Sequence, residues 1–417
     1  MRSKRILILG GGRYNVPSVR AAREAGFFTL VADKNPDAPG LQAADRALPI
    51  DLSDCESLTR TVVQYGGVDG VVSMAEVGVR AAANISVRLN LPSISEGAAV
   101  NATSKAAMRR QWKRIGKFSP DFEVVSSLDD ARVATGKLGR FPLIFKPDRS
   151  FGGSRGVTRV ENAEDVANAF RNAQAGGLAN SDVVIEHCIE GTEHSAEVLI
   201  WNGTTSVLCV GQKVKSLRPY RVDVSVQYPA PLTPKQESTV ADMCHRAVSA
   251  LGLTQGVAHV EFGYTDQGPV LFELGARCGG GHTPQIAHHV SGINEFVEAC
   301  RMACGVAPSQ FYPTSRRGAD YRFLVFAPGI VERVEGPGAL LSDSGVLDVG
   351  VTVQAGDEIR PLRSTSERAG FLVATGKSLQ EAANLADRGC RQISIYYADG
   401  TTRHASELLE FRELAHS

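Results

Sequence analysis

Apolar runs and turn residues alternate in a repeating order through the first hundred positions. Ile6-Leu7-Ile8-Leu9 is an unbroken apolar run that stops at Gly10-Gly11-Gly12. A short run of this kind, bounded by glycine, predicts a strand buried on both faces. Helical spacing follows over 16–25 and is closed by Gly26. Strands are predicted at 28–32, ending on Asp33, at 47–50 and at 70–73, with helices over 58–65 and 77–89. Strand, helix, strand in repeat predicts a parallel sheet with helices on its faces. Ligands of such sheets gather at the carboxyl ends of the strands.

A basic amphipathic helix is predicted over 101–115, and a second α/β region follows it. Its strands are expected at 143–146, 156–160, 183–186, 195–201, 206–213, 257–264 and 270–274. The last two flank Asp266-Gln267-Gly268, a turn that predicts an antiparallel hairpin. Helices are expected at 234–251 and 293–304. The composition changes after 308–313, with short strands such as 321–326, glycine-rich turns and one amphipathic helix over 378–392. The expected fold class is α/β, α+β in parts, with domains at 1–103, 104–313 and 314–417.

Charge narrows the function classes. Lys+Arg and Asp+Glu are equal at 45 each. That balance argues against a nucleic-acid or membrane-surface binder, which would carry a basic excess. No apolar run approaches the roughly 18 residues of a membrane span. The stretch Ile6–Leu9 after Met1-Arg2-Ser3-Lys4-Arg5 is too short for a signal-peptide core, so a cytoplasmic protein is expected. Eight Cys show no paired spacing, and Cys300 and Cys304 on a predicted helix read as buried thiols more than as metal ligands.

Four stretches carry candidate chemistry. Gly10-Gly11-Gly12 with Asp33 resembles a dinucleotide fingerprint, but Asn15 stands where its third glycine belongs, so a tight turn is the better reading. Lys146 ends a strand and precedes the loop Ser150-Phe151-Gly152-Gly153-Ser154-Arg155-Gly156. A point charge beside backbone N–H groups suits a polyphosphate, although many surface hairpins are equally rich in Gly and Ser. In the third stretch, 184–193, an apolar strand runs through Glu186, His187 and Ile189 to Gly191 and Glu193. A flat apolar slot followed by a carboxylate can hold an adenine and its ribose; a strand with an acidic turn is the plainer alternative. The fourth, His259-Val260-Glu261-Phe262 with Phe272-Glu273-Leu274-Gly275-Ala276-Arg277, places two acids on successive strands. Alternation can bring Glu261 and Glu273 to one face of the hairpin. Two carboxylates there repel unless a cation lies between them, and Mg2+ bridging to phosphates answers that need.

In this order the pieces resemble the ATP-grasp superfamily over essentially the whole chain. The resemblance implies a Rossmann-like N-terminal domain, a central ATP-grasp lid at about 118–187 with its body, and a C-terminal α+β subdomain. It also implies ATP and Mg2+, with Mn2+ able to substitute. Lys105, Lys146, Ser150, Gly152, Gly153 and Ser154 would contact the phosphates. Glu186, His187 and Ile189 would hold adenine, and Glu193 the ribose. Glu261 and Glu273 would ligate the metal, and Arg277 and Lys146 would serve catalysis. Gly275 departs from the family, which often has Asn there as a further metal ligand. That leaves the second metal more loosely held or completed by water.

The stretch Cys278-Gly279-Gly280-Gly281-His282 is similar to the substrate-facing loop of carboxylate–amine ligases, including the L-amino-acid (dipeptide) ligases. Amide formation through an acyl phosphate is the implied reaction. Glu76, Lys213, Arg218, Arg277, Gly280 and His282 are the candidate substrate contacts. Small-molecule carboxylate and amine partners and a homodimer are expected. Two alternatives stay open: a purine-biosynthesis relative using formate or bicarbonate, and a nucleotide-binding protein without turnover.

Overall fold

The computed structural model describes residues 3–150, 154–217 and 221–405. Gly152, Gly153 and Arg218, named above, lie outside the described residues.

Strand Arg5–Leu9 runs parallel to Phe28–Ala32 on one side and to Gly70–Ser73 on the other. Arg46–Leu48 extends the sheet beyond Phe28–Ala32. Alternation along these strands decides which helix meets which side chain. Ile6, Ile8 and Val31 pack with Val19 and Ala22 of helix Val16–Glu24 and with Phe296 and Ala299 of helix Glu295–Ala303. Leu7, Leu9 and Leu30 pack on the opposite face with Leu58 and Val62 of helix Cys55–Gln64 and Ala81 and Ile85 of helix Val79–Arg88. Helix Glu295–Ala303 thus closes a sheet made by the first 73 residues.

The glycine turn after the first strand is filled by protein. A Cβ on Gly40 would come within 2.6 Å of the Gly11 Cα, so only glycine admits this crossing. The Asp33 carboxylate accepts from the Gly11 N–H at 2.9 Å and from Asn35 N. Asp33 therefore braces a turn, and the tight-turn reading stands in place of a dinucleotide site.

The helix expected over 101–115 is shorter, Lys105–Trp112, with a 3-10 turn at Lys113–Phe118 after it, and Asn101 closes a separate helix, Glu96–Asn101. Ser104 restarts it as N-cap, accepting from Ala107 N, while Asp148 accepts from Ala106 N and from the Ser104 hydroxyl. Helix Pro234–Leu251 begins where expected, behind a capping box made by Thr233 and Gln236.

An eight-stranded antiparallel sheet forms the body. Its order is Gly268–Gly275, Gln255–Thr265, Thr192–Trp201, Thr204–Lys215, Asp223–Tyr228, Gly318–Leu324, Gly370–Gly376 and Val346–Val351. The sheet spans both sides of position 314, and Asp223–Tyr228, for which the sequence predicts no strand, is one of its central strands. A smaller antiparallel sheet joins Phe122–Val125, Val183–His187, Leu143–Pro147 and Thr158–Val160. A third antiparallel sheet, built on Gly329–Glu335 and Ser394–Tyr397, completes the C-terminal part. All eight cysteines are thiols, six of them buried. No helix among the described residues is long and apolar enough to cross a membrane.

Candidate active site

The hairpin of the body carries the first group. Val260, Phe262, Leu271 and Leu274 point into the core, which leaves Glu261 and Glu273 on the other face. The two stand directly opposite each other in the ladder, and a bulge follows Glu261. Each carboxylate has its own ammonium: Lys213 Nζ lies 2.9 Å from Glu261 Oε2, and Lys105 Nζ lies 3.0 Å from Glu273 Oε1. About a third of each acid stays open to solvent, 34% for Glu261 and 37% for Glu273. Burial raises the Glu273 carboxyl, but Lys105 more than offsets this and holds it below the usual range. Burial likewise opposes ionisation of Glu261, and Lys213 and His259 together hold it well below that range. Both acids are thus ionised and reachable. Among the described residues no group of three or more His, Cys, Asp or Glu is set to hold a metal. Two carboxylates fit Mg2+ when phosphate oxygens and water complete the shell.

The smaller sheet supplies the second group. Lys146 is buried, with Nζ 2.6 Å from Glu186 Oε1. The Asp148 caps described above tie this strand end to helix Lys105–Trp112, which brings Lys105 and Lys146 to the same corner. Arg109, one turn after Lys105, is fully buried and grips Glu186 through Nε at 2.7 Å and Nη2 at 3.1 Å. It also donates to the Phe272 carbonyl at 2.8 Å, beside Glu273. Burial, and then the Arg109 charge, push the Lys146 ammonium down to about 8. Burial raises the Glu186 carboxyl, but Arg109 and Lys146 prevail and lower it.

The predicted adenine segment runs from strand Val183–His187 to the start of strand Thr192–Trp201. The Glu186 carboxylate is turned onto Lys146 and Arg109. His187 Nε2 lies 3.2 Å from the Leu138 carbonyl, and Ile189 packs so near Gly263 that a Cβ there would come within 2.9 Å of its Cγ2. Glu193 is paired with Lys215 at 2.5 Å, and Lys215 also meets Asp223 at 2.6 Å. Ser150 and Ser154 flank the part of the glycine loop outside the described residues.

The third group joins the N-terminal sheet to the hairpin. Glu76, beyond the end of strand Gly70–Ser73, accepts from Arg277 Nε at 3.0 Å. Burial raises the Glu76 carboxyl against the pull of Arg277. Arg277 Nη1 also donates to the Cys278 carbonyl. A Cβ on Gly280 would meet nothing within 4 Å, so that loop position faces open space. His282 is buried, with Nε2 2.7 Å from Asp348 Oδ2 and Nδ1 3.2 Å from the Tyr321 hydroxyl.

Sequence reasoning assigned no role to Arg109, Glu197 or His259. Arg109 had one signal: with Lys105 it makes an i, i+4 basic pair on a helix face that otherwise carries Met108 and Trp112.

Comparison with known proteins finds relatives of the whole fold. Residues 139–285 match the model of the ATP-grasp domain, residues 19–93 that of the ATP-grasp N-terminal domain, and residues 322–398 that of the L-amino acid ligase C-terminal domain 2. The crystal structure of L-amino acid ligase from Bacillus licheniformis is similar, with a TM-score of 0.80 and 25% identity over 95% of this chain and 99% of that one. Phosphoribosylglycinamide synthetase from Anaerococcus prevotii shares the fold, with a TM-score of 0.73 and 21% identity over 95% of this chain and 100% of that one. Formate-dependent phosphoribosylglycinamide formyltransferase of Haloquadratum walsbyi is 27% identical over 65% of this chain and 67% of its own length.

Proposed function

Since the chain belongs to the ATP-grasp superfamily, we propose that it is an ADP-forming ligase that joins a small carboxylate, probed first as an amino acid, to an amine through an acyl phosphate. One observation carries the reading: Glu261 and Glu273 face each other in register, with Arg277 four residues on and Lys105 and Lys146 at the same corner. Glu261 and Glu273 would hold Mg2+, and the ion would supply positive charge to offset that of the nucleotide phosphates.

The protein's own part is positioning and charge. Lys105 and Lys146 are assigned to the phosphate oxygens, which would compete with their present partners Glu273 and Glu186. The substrate carboxylate attacks the γ-phosphorus and ADP leaves. Arg277 offers its guanidinium to the acyl phosphate and to the tetrahedral adduct formed by the amine. The nitrogen then loses a proton, phosphate departs and the amide remains. Glu76 and the loop to His282, beside Arg277, are assigned to the substrate, as is Lys213, whose ammonium meets Glu261 from two strands away. Adenine is assigned to the segment 186–189 and the ribose to Glu193.

Amino-acid substrates are favoured over formate or bicarbonate by the match of residues 322–398 to the L-amino acid ligase C-terminal domain 2. The test is phosphate release across a grid of amino-acid pairs, with mass spectrometry of the products. Release with formate and a ribosylamine phosphate alone would select the purine-type reading. ATP binding without ADP formation in every mixture would select a non-catalytic role. A homodimer is proposed as well, to be measured by light scattering.

A further inference from the structure

Behind Glu261 lies a line of buried polar side chains that takes no part in the chemistry above. Glu197 is fully buried on strand Thr192–Trp201, which lies between the hairpin and strand Thr204–Lys215. His259 stands opposite it in the ladder. His259 Nδ1 is 2.5 Å from Glu197 Oε1, and Nε2 on the other side of the ring is 3.3 Å from Glu261 Oε1. The second oxygen of Glu197 accepts from the Gly279 N–H at 3.1 Å. A Cβ on Gly279 would lie 2.9 Å from Glu197 Oε1, so loop and carboxylate are in direct contact.

Isolated carboxylates are rarely left in a core, because desolvation costs several kcal/mol unless hydrogen bonds and charge offset it. Here both oxygens of Glu197 are used, and each leads to a different part of the site. One runs through a rigid imidazole to Glu261. The other holds the first glycine of the loop that ends at His282. An imidazole with both nitrogens engaged fixes the rotamer of the acid it touches, as outer-shell partners do around metals.

We infer that Glu197 and His259 are positioning residues: they set the orientation of Glu261 toward a divalent cation and, through Gly279, tie that orientation to the placement of the loop Cys278–His282. The inference rests on Glu261 and Glu273 being the cation's carboxylates. Its consequence is an asymmetry. His259 serves the cation alone, whereas Glu197 serves both cation and loop.

The experiment measures Mn2+ binding to the full chain in the presence of ADP, by electron paramagnetic resonance, for wild type, Glu273→Ala, His259→Asn and Glu197→Gln. An Asn at 259 keeps a donor toward Glu197 but is too short to reach Glu261. Glu197→Gln keeps size and removes charge. Removing outer-shell partners commonly weakens metal binding about 10- to 100-fold, and that loss is expected in both variants. ADP affinity in EDTA should stay at the wild-type value in both. The KM for the carboxylate substrate should rise in Glu197→Gln and stay unchanged in His259→Asn. Thermal midpoints report folding, and His259→Gln, which can reach Glu261 again, should restore part of the Mn2+ affinity. Wild-type Mn2+ affinity in both variants, with Glu273→Ala still defective, overturns the inference. Normal Mn2+ binding by Glu273→Ala removes the cation site itself and with it the premise.

Discussion

Arg277 Nε lies 3.0 Å from Glu76 Oε2, although 201 residues separate them along the chain. The contact packs closely over Gly275. A Cβ there would stand 3.0 Å from Glu76 Oε2 and 3.3 Å from Arg277 Cζ, tighter than such contacts normally run. The carboxylate of Glu76 therefore occupies space into which an Asn side chain at 275 would extend. Gly275→Asn is expected to push Glu76 off Arg277. Loss of a charge-assisted hydrogen bond of ~1.5–3 kcal/mol should lower turnover by about 10- to 100-fold, with ADP affinity kept. Steady-state kinetics beside ADP titration checks this. If the Asn variant turns over as fast as wild type or faster, Glu76 does not support Arg277.

Glu273 is the more stringent test of the cation site. Its carboxylate faces Glu261 and compensates Lys105. Glu273→Ala should abolish ADP formation in a coupled assay while the protein remains folded by circular dichroism. Near-normal activity would sink the assignment of both acids.

The hairpin and its two acids were legible in the sequence because alternation is a local rule. Val260 and Phe262 mark the core face around Glu261, and Leu274 marks it beside Glu273, whereas Leu271 joins the same face only through the bulge. The start at Lys105 is not legible over 101–115 because the cap at Ser104 is held by Asp148, which lies 44 residues away. The Arg109–Glu186 clamp spans 77 residues and the Glu76–Arg277 contact spans 201, so no local pattern announces either. A basic residue on a helix normally reads as its solvated face. Asp223–Tyr228 is absent from the strands the sequence predicts for a related reason: one of its pairings is with Gly318–Leu324, far downstream.

The clamp leads to a stability prediction. Arg109 is fully buried, and its loss leaves Glu186 with Lys146 alone. Breaking a buried pair from one side costs about 3–5 kcal/mol. Arg109→Met should therefore lower the urea midpoint markedly. By contrast Lys4→Met, which removes the exposed partner of Asp69, should change stability by less than about 1 kcal/mol. Comparable midpoints for the two variants would show that Arg109 is not a structural keystone.

Lys146 predicts the pH dependence of nucleotide binding. Burial first, and then Arg109, push its ammonium down to about 8 from an ordinary 10.5. Phosphate oxygens beside it favour the charged form, so binding raises this value and takes up a proton where free Lys146 is neutral. Affinity for ADP should then be full below pH 8 and fall as pH rises through about 8, by at most tenfold per unit. The same shift acts on folding in the opposite sense. Between about 8 and 10.5 the unfolded chain binds more protons at this lysine than the folded one, so its contribution to stability grows with pH across that window. Calorimetric titration of ADP in EDTA between pH 7 and 9.5 measures the binding limb. Lys146→Arg, which stays charged throughout, should bind with an affinity that no longer declines above pH 8. A wild-type affinity that is flat to pH 9.5 would mean that the Lys146 ammonium does not meet the phosphates.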